Sequence, residues 1–227
     1  PTAWEETWGT SVGTGIDLIS GVGASTNIGW VSPNVAGITL SAAWAGANDA
    51  GVNSDKATSG GTGVGRGYDV MLNINPQFGD ALSGLNVFVG GSETEQEGKT
   101  LSKADNDHQE VVAGFTMALG PVTAGYQRTG EFGGKTIVSS LDYYDNRSWG
   151  ISFNVNDDLS ISYGEVESWK KNTGSIKTSM EAESLQIAYT MGGASIKIAD
   201  TEVTNAVYSS AASADIDGLT LALSLAF

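Results

Sequence analysis

The chain has 227 residues, with 31 glycines, no cysteine and only 16% charged residues; 11 basic against 26 acidic side chains give a formal charge of −15. Without cysteine, disulfides, thiol chemistry and cysteine-based metal sites are excluded, and nucleic acid is not an expected partner because it needs a basic surface. No run approaches the ~18 consecutive apolar residues of a membrane helix. A chain this poor in charge and without such a helix fits a sheet with one face in lipid and the other in water, and its negative charge would favour cations in any pore. The first residues, Pro1-Thr-Ala-Trp-Glu-Glu, lack both the basic and the apolar regions of a signal peptide, so the sequence reads as a processed chain or a fragment.

Residues 1–23 contain five glycines and make a poor helix. Gly9 to Ile19 alternates poorly; a competing count takes it as a twelfth strand, which would make a complete small barrel. From about Ser25 onward, runs with period-two alternation recur at 25–32, 36–46, 66–76, 84–94, 108–119, 121–131, 145–156, 158–168, 179–191, 193–204 and 215–227. This pattern predicts eleven strands.

Alternate side chains of a strand lie on opposite faces. One parity carries the bulky apolar residues, for example Ile38, Leu40 and Trp44, then Trp149, Ile151 and Phe153, then Leu185, Ile187 and Tyr189. The other parity carries small and polar residues, such as Ser148, Gly150, Ser152 and Asn154. The last strand, 215–227, places Leu219, Leu221, Leu223, Leu225 and Phe227 on the bulky parity.

The connections alternate in length. Short ones are expected at 32–35, 76–83, 120, 156–157 and 192–193, and long ones at 47–65, 95–107, 132–144, 169–178 and 205–214. This is the rhythm of an antiparallel up-and-down transmembrane β-barrel, whereas a Greek-key sandwich has no reason to gather its long loops at one end. The bulky parity also turns charged at Glu93, Arg128, Arg147, Glu165, Glu183 and Asp200, some seven to nine residues above each short turn. For a tilted strand that height approaches a lipid-facing band of roughly 25 Å.

Catalysis is not expected. The single histidine, His108, sits at the edge of a long loop and is expected to be solvated. No phosphate loop, histidine-based metal motif or dinucleotide fingerprint occurs. Asp105-Asn106-Asp107 offers oxygen ligands but lacks the spacing of a calcium loop, so neither metal nor cofactor is expected.

The segment 25–44 resembles the Gram-negative general porins: Asn27 and Trp30 on one strand, a Ser32-Pro33-Asn34 turn, Gly37, and a second strand ending at Trp44. In that family these strands follow the loop that folds into the pore. The resemblance implies a barrel of sixteen strands, of which the chain would hold the sixth to the last, lacking the first five. Residues 1–23 would then be a remnant of the constriction loop and 24–227 the barrel strands. It further implies acids on that loop, Glu5, Glu6 and Asp17, facing the pore, with Asp69, Glu110 and Lys197 placed inward on the wall by their parity and Lys197 near mid-height.

The resemblance also implies that Leu223, Leu225 and Phe227 form the signal read by the barrel assembly machinery. Expected surroundings are outer-membrane lipid and lipopolysaccharide, and the expected assembly is a homotrimer in the bacterial outer membrane. The expected function is passive diffusion of small hydrophilic solutes and ions, with cations preferred. A secreted or surface adhesin-like β-protein without a pore is the alternative.

Overall fold

The computed structural model describes residues 13–22, 26–46, 64–76, 82–96, 107–134 and 140–225. Eleven strands form one antiparallel sheet in chain order, each hydrogen-bonded to its sequence neighbours. They are β1 (Asn27–Val31), β2 (Ile38–Ala45), β3 (Val64–Ile74), β4 (Leu85–Gln96), β5 (His108–Leu119) and β6 (Val122–Phe132). They continue with β7 (Leu141–Asn154), β8 (Leu159–Asn172), β9 (Thr178–Met191), β10 (Ala194–Thr204) and β11 (Ile216–Leu225). The sheet is open, since β1 and β11 do not pair with each other.

The tight turns follow from local chemistry. Gly120 and Gly192 take φ of +57° and +58°, which lets β5–β6 and β9–β10 reverse within two residues. Asn156 organises the β7–β8 turn through its side-chain carbonyl, which accepts the N–H groups of Asp158 (2.9 Å) and Leu159 (2.8 Å). In the β1–β2 turn, the Asn34 side chain accepts the Gly37 N–H at 2.9 Å, and Ser32 Oγ accepts that of Leu40 at 2.9 Å.

The expected count of eleven strands holds, but two boundaries move. β7 starts at Leu141 and β8 runs on to Asn172, so the connection after β8 shrinks to 173–177. The β3–β4 connection, expected at 76–83, spans 75–84, yet it stays shorter than the connections on either side of it, so the alternation in length holds. The strands extend because charged and aromatic side chains still pair across the ladder where apolar alternation has stopped. Arg128 pairs with Asp145 at 2.9 Å and Lys171 with Asp142 at 2.9 Å, while Arg147 lies over the Trp169 ring.

The two faces separate as the alternation requires. Trp44, Trp149, Ile151, Phe153, Leu185, Ile187 and Tyr189 are exposed, as are Leu219, Leu221, Leu223 and Leu225 on β11. No second sheet covers them among the described residues. Phe227 lies outside the described residues.

The charges above this belt fall into rows. Arg128 stands opposite Arg147. Glu165 stands opposite Glu183, Glu183 opposite Glu202, and Glu202 opposite Asp217. Directly opposed like charges are unfavourable. The arginine pair is offset by Asp145, which contacts Arg128 at 2.9 Å and Arg147 at 3.9 Å. In the acidic row, the Tyr163 hydroxyl donates to Glu183.

The opposite, inner face is where burial occurs. Ser162, Val166, Ser168, Met180, Ala182, Ser184, Gln186, Ala199, Thr201 and Val203 are all buried there. A compact cluster joins Tyr144, Val166, Met180, Ala182 and Val203 to Ala206 and Tyr208 of the β10–β11 connection, with Ile16 packed against it. Two segments outside the strands therefore lie on the inner face: 13–22 and the turn Ala206–Tyr208.

Candidate functional site on the inner face

The inner face has two zones. Near the short turns it is lined by small or polar side chains such as Ser152, Asn154, Thr190, Ser195 and Lys197. Lys197 is half-buried and opposite Ala188 and Ala222, and it makes no ion pair among the described residues. It is the fourth residue of β10, level with Ala188 and next to Ile198, which pairs with Ile187 of the outer belt. Towards the other end, segment 13–22 covers the wall.

Carboxylates fasten that segment. Glu110 Oε1 accepts the Ser20 N–H at 3.1 Å, and Oε2 accepts the Gly21 N–H at 2.7 Å and the Ser92 hydroxyl at 2.6 Å. Asp69 Oδ2 accepts the Val22 N–H at 2.8 Å. Three consecutive backbone donors thus end on two wall acids. A carboxylate is acceptor-only and binds such donors more strongly than a neutral oxygen does, which suits a segment with no ladder of its own. Gly21 lies so close that a Cβ there would sit 2.8 Å from Asp69 Oδ2.

A second tie runs through Asn146, which is buried. Its Nδ2 donates to the Asp17 carbonyl at 2.8 Å and to Thr129 Oγ1 at 3.0 Å, while its Oδ1 accepts from Ser168. Ser168 Oγ also meets the Tyr208 hydroxyl at 2.7 Å. Four elements, namely β6, β7, β8 and the turn 206–208, are joined to segment 13–22 by one buried polar network.

The Asp17 carboxyl is solvent-accessible, yet it sits beside this cup of acids. Desolvation first, then the charges of Glu131 and Glu110, raise its pKa above the ordinary value; His108 and Lys170 act the other way. Burial likewise pushes the Tyr208 phenol up to about 12. His108, expected to be solvated, instead contacts Glu131 at 3.0 Å, with both side chains largely enclosed. The partner comes from the adjacent strand β6, where Glu131 pairs with Glu110 and meets His108 diagonally, which the position of the loop edge did not reveal.

Of the sequence-predicted site residues, Asp17, Asp69 and Glu110 come together around segment 13–22, and Lys197 stands apart on β10. Glu5, Glu6, Asp105 and Asn106 lie outside the described residues. Asn146, Ser168 and Tyr208 were not anticipated.

This arrangement, eleven up-and-down strands with a bulky exposed face and an inward-folded segment, has counterparts among solved structures. The chain is similar to Salmonella typhi OmpF in complex with daunomycin, with a TM-score of 0.59 and 9% identity over 83% of this chain and 56% of that one. It is also similar to a loop L8 deletion mutant of OmpT, an outer membrane protein of Vibrio cholerae, with a TM-score of 0.54 and 12% identity over 78% of this chain and 56% of that one.

The chain has the fold of an outer-membrane β-barrel protein. It spans just over half the length of these two barrels. Its sequence matches no family model and no curated protein. Within the barrel fold, the belt of Trp149, Ile151, Leu185 and Ile187 is the outer surface, and segment 13–22 lies on the inner one.

Proposed function

We infer that this chain belongs to a porin of the bacterial outer membrane, forming part of a water-filled channel for passive diffusion of small hydrophilic solutes and ions. The observation that carries this reading is the fastening of segment 13–22 to the inner wall by Glu110 and Asp69, on the face opposite an exposed apolar belt. An adhesive sheet has no need to fold a segment against its small, polar face. A channel does, because such a segment narrows the passage.

Asp17 and Lys197 are the charges proposed to line the route, with Glu5 and Glu6 proposed for the same role and Asp69 and Glu110 acting through the segment they hold. Cation preference is supported by the −15 formal charge and by the carboxylates gathered around segment 13–22. No catalytic role is assigned. Lipid and lipopolysaccharide are the proposed neighbours of the belt. The barrel assembly machinery is the proposed reader of Leu223, Leu225 and Phe227, and a homotrimer is the proposed assembly.

The test is a planar-bilayer recording of the intact protein. Stepwise conductance with a reversal potential set by the cation gradient is expected. Absence of conductance overturns the channel reading, and a reversal potential set by the anion overturns the cation preference alone.

A further inference from the structure

The inner face holds a second element that the channel reading does not use. The β10–β11 connection does not stay outside: Ala206 and Tyr208 are buried against the inner residues of β7, β8, β9 and β10. Its backbone is unusual, since Asn205, Val207 and Tyr208 all have positive φ (56°, 52° and 59°). A β-branched residue in that region is a marked outlier, and such conformations persist only where surrounding contacts impose them.

The contacts here are specific. The Tyr208 ring lies 5.5 Å from that of Tyr144, Lys170 Nζ lies 5.2 and 5.4 Å from the two rings, and Ser168 holds the hydroxyl. The Val207 N–H donates to the Thr14 carbonyl at 2.9 Å. Gly15 fits only because it lacks a side chain, since a Cβ there would lie 2.8 Å from Val207 Cγ1 and 3.0 Å from its Cα. Val207 itself remains 63% exposed, so it borders open space rather than filling the cluster.

We propose that the turn 205–208 is a second size-determining element of the channel, with Val207 at the margin of the passage and Tyr208 as the positioning residue that keeps the turn locked onto segment 13–22. This rests on the channel reading. On this reading the turn and the segment together border the passage beside β7–β9, tied to each other by the bond from the Val207 N–H to the Thr14 carbonyl. Loosening the contact from either side enlarges the passage by the same route.

The experiment compares Tyr208→Ala, Tyr208→Phe and Gly15→Ala with the wild type in the intact protein. Liposome swelling is measured with a graded series of neutral sugars, and folding is checked by heat-modifiable migration. Tyr208→Ala removes the anchor. Gly15→Ala changes no strand residue, yet its Cβ would meet Val207, and the positive φ of 73° adds strain within the segment itself. Both are expected to raise the uptake of sugars near the wild-type exclusion limit by about twofold or more, as pore diameter dictates. Tyr208→Phe, which keeps the ring, is expected to recover most of the wild-type exclusion.

A folded Tyr208→Ala or Gly15→Ala protein with the wild-type exclusion limit overturns the proposal. So does a Tyr208→Phe protein as wide as Tyr208→Ala. A wild type that admits no sugar and passes no current overturns the channel reading itself, and is thereby distinguished from failure of this inference alone.

Discussion

Glu110 grips Gly21 through the backbone: its Oε2 accepts the Gly21 N–H at 2.7 Å, across 89 residues of sequence. The neighbouring Ser20 N–H ends on the other oxygen of the same carboxylate. The contact uses a side chain on one partner and none on the other. Its loss should therefore be felt locally, in segment 13–22, rather than in the ladder of β5.

Glu110→Gln preserves shape but turns one acceptor oxygen into a donor facing an N–H group. One of the two backbone contacts is lost, at a cost of roughly 1–3 kcal/mol. Amide hydrogen exchange at Ser20 and Gly21 is expected to accelerate by about tenfold or more while the β5 amides keep their protection. Unchanged exchange at both positions would show that the carboxylate does not hold the segment.

Asn146→Ala should cost more than its size suggests. It strips the Asp17 carbonyl, Thr129 and Ser168 of a shared partner at a buried site. A loss of about 2–3 kcal/mol is expected, because buried polar groups are left unsatisfied. Denaturant midpoints in micelles measure it, with an exposed inner-face substitution such as Asn154→Ala as the reference.

Asp17 gives a pH signature with a definite sign. Its folded-state pKa is raised, so ionisation opposes docking of the segment. Its favourable contribution is fully present below the ordinary carboxyl pKa and is lost as pH rises through the raised folded value. Asp17→Asn removes the penalty at neutral pH while keeping the backbone carbonyl that Asn146 binds. The variant is expected to be the more heat-resistant at pH 7, and the difference should shrink as the pH falls below the ordinary aspartate range.

Ile187→Arg tests the outer belt. A charge at the midplane of a lipid-facing strand costs about 2–4 kcal/mol, whereas one at the rim costs about 0–1. Thr204→Arg, at the upper end of β10, provides the rim comparison. Folding into vesicles is expected to separate the two variants; equal stabilities would mean that the belt does not meet hydrocarbon.

Much of this architecture could be read from the chain because period-two alternation is a local signal. Leu185, Ile187 and Tyr189 declare an outer face by themselves, and the same parity places Asp69 and Glu110 on the inner one. What those acids do could not be read. Their partners are the N–H groups of Ser20, Gly21 and Val22, and a backbone donor leaves no mark in composition or spacing.

The turn at Tyr208 was obscure for a related reason. Asn205-Ala206-Val207-Tyr208 looks like any outer connection, and its burial depends on Tyr144 and Ser168, two strands that meet it only after the sheet has assembled. His108 shows the same limit: its partner Glu131 stands one strand away. The upper boundaries of β7 and β8 were missed because cross-strand charge pairs, not apolar alternation, carry them on.

The count of strands has a geometric consequence of its own. In a meander of eleven, the first and last strands point the same way, so a direct seam between β1 and β11 would be parallel in a sheet whose every other ladder is antiparallel. The margins are also unequal, five residues on one side and ten on the other. A wholly antiparallel cylinder therefore calls for an odd number of additional strands between these margins, supplied by another stretch of polypeptide or by another molecule.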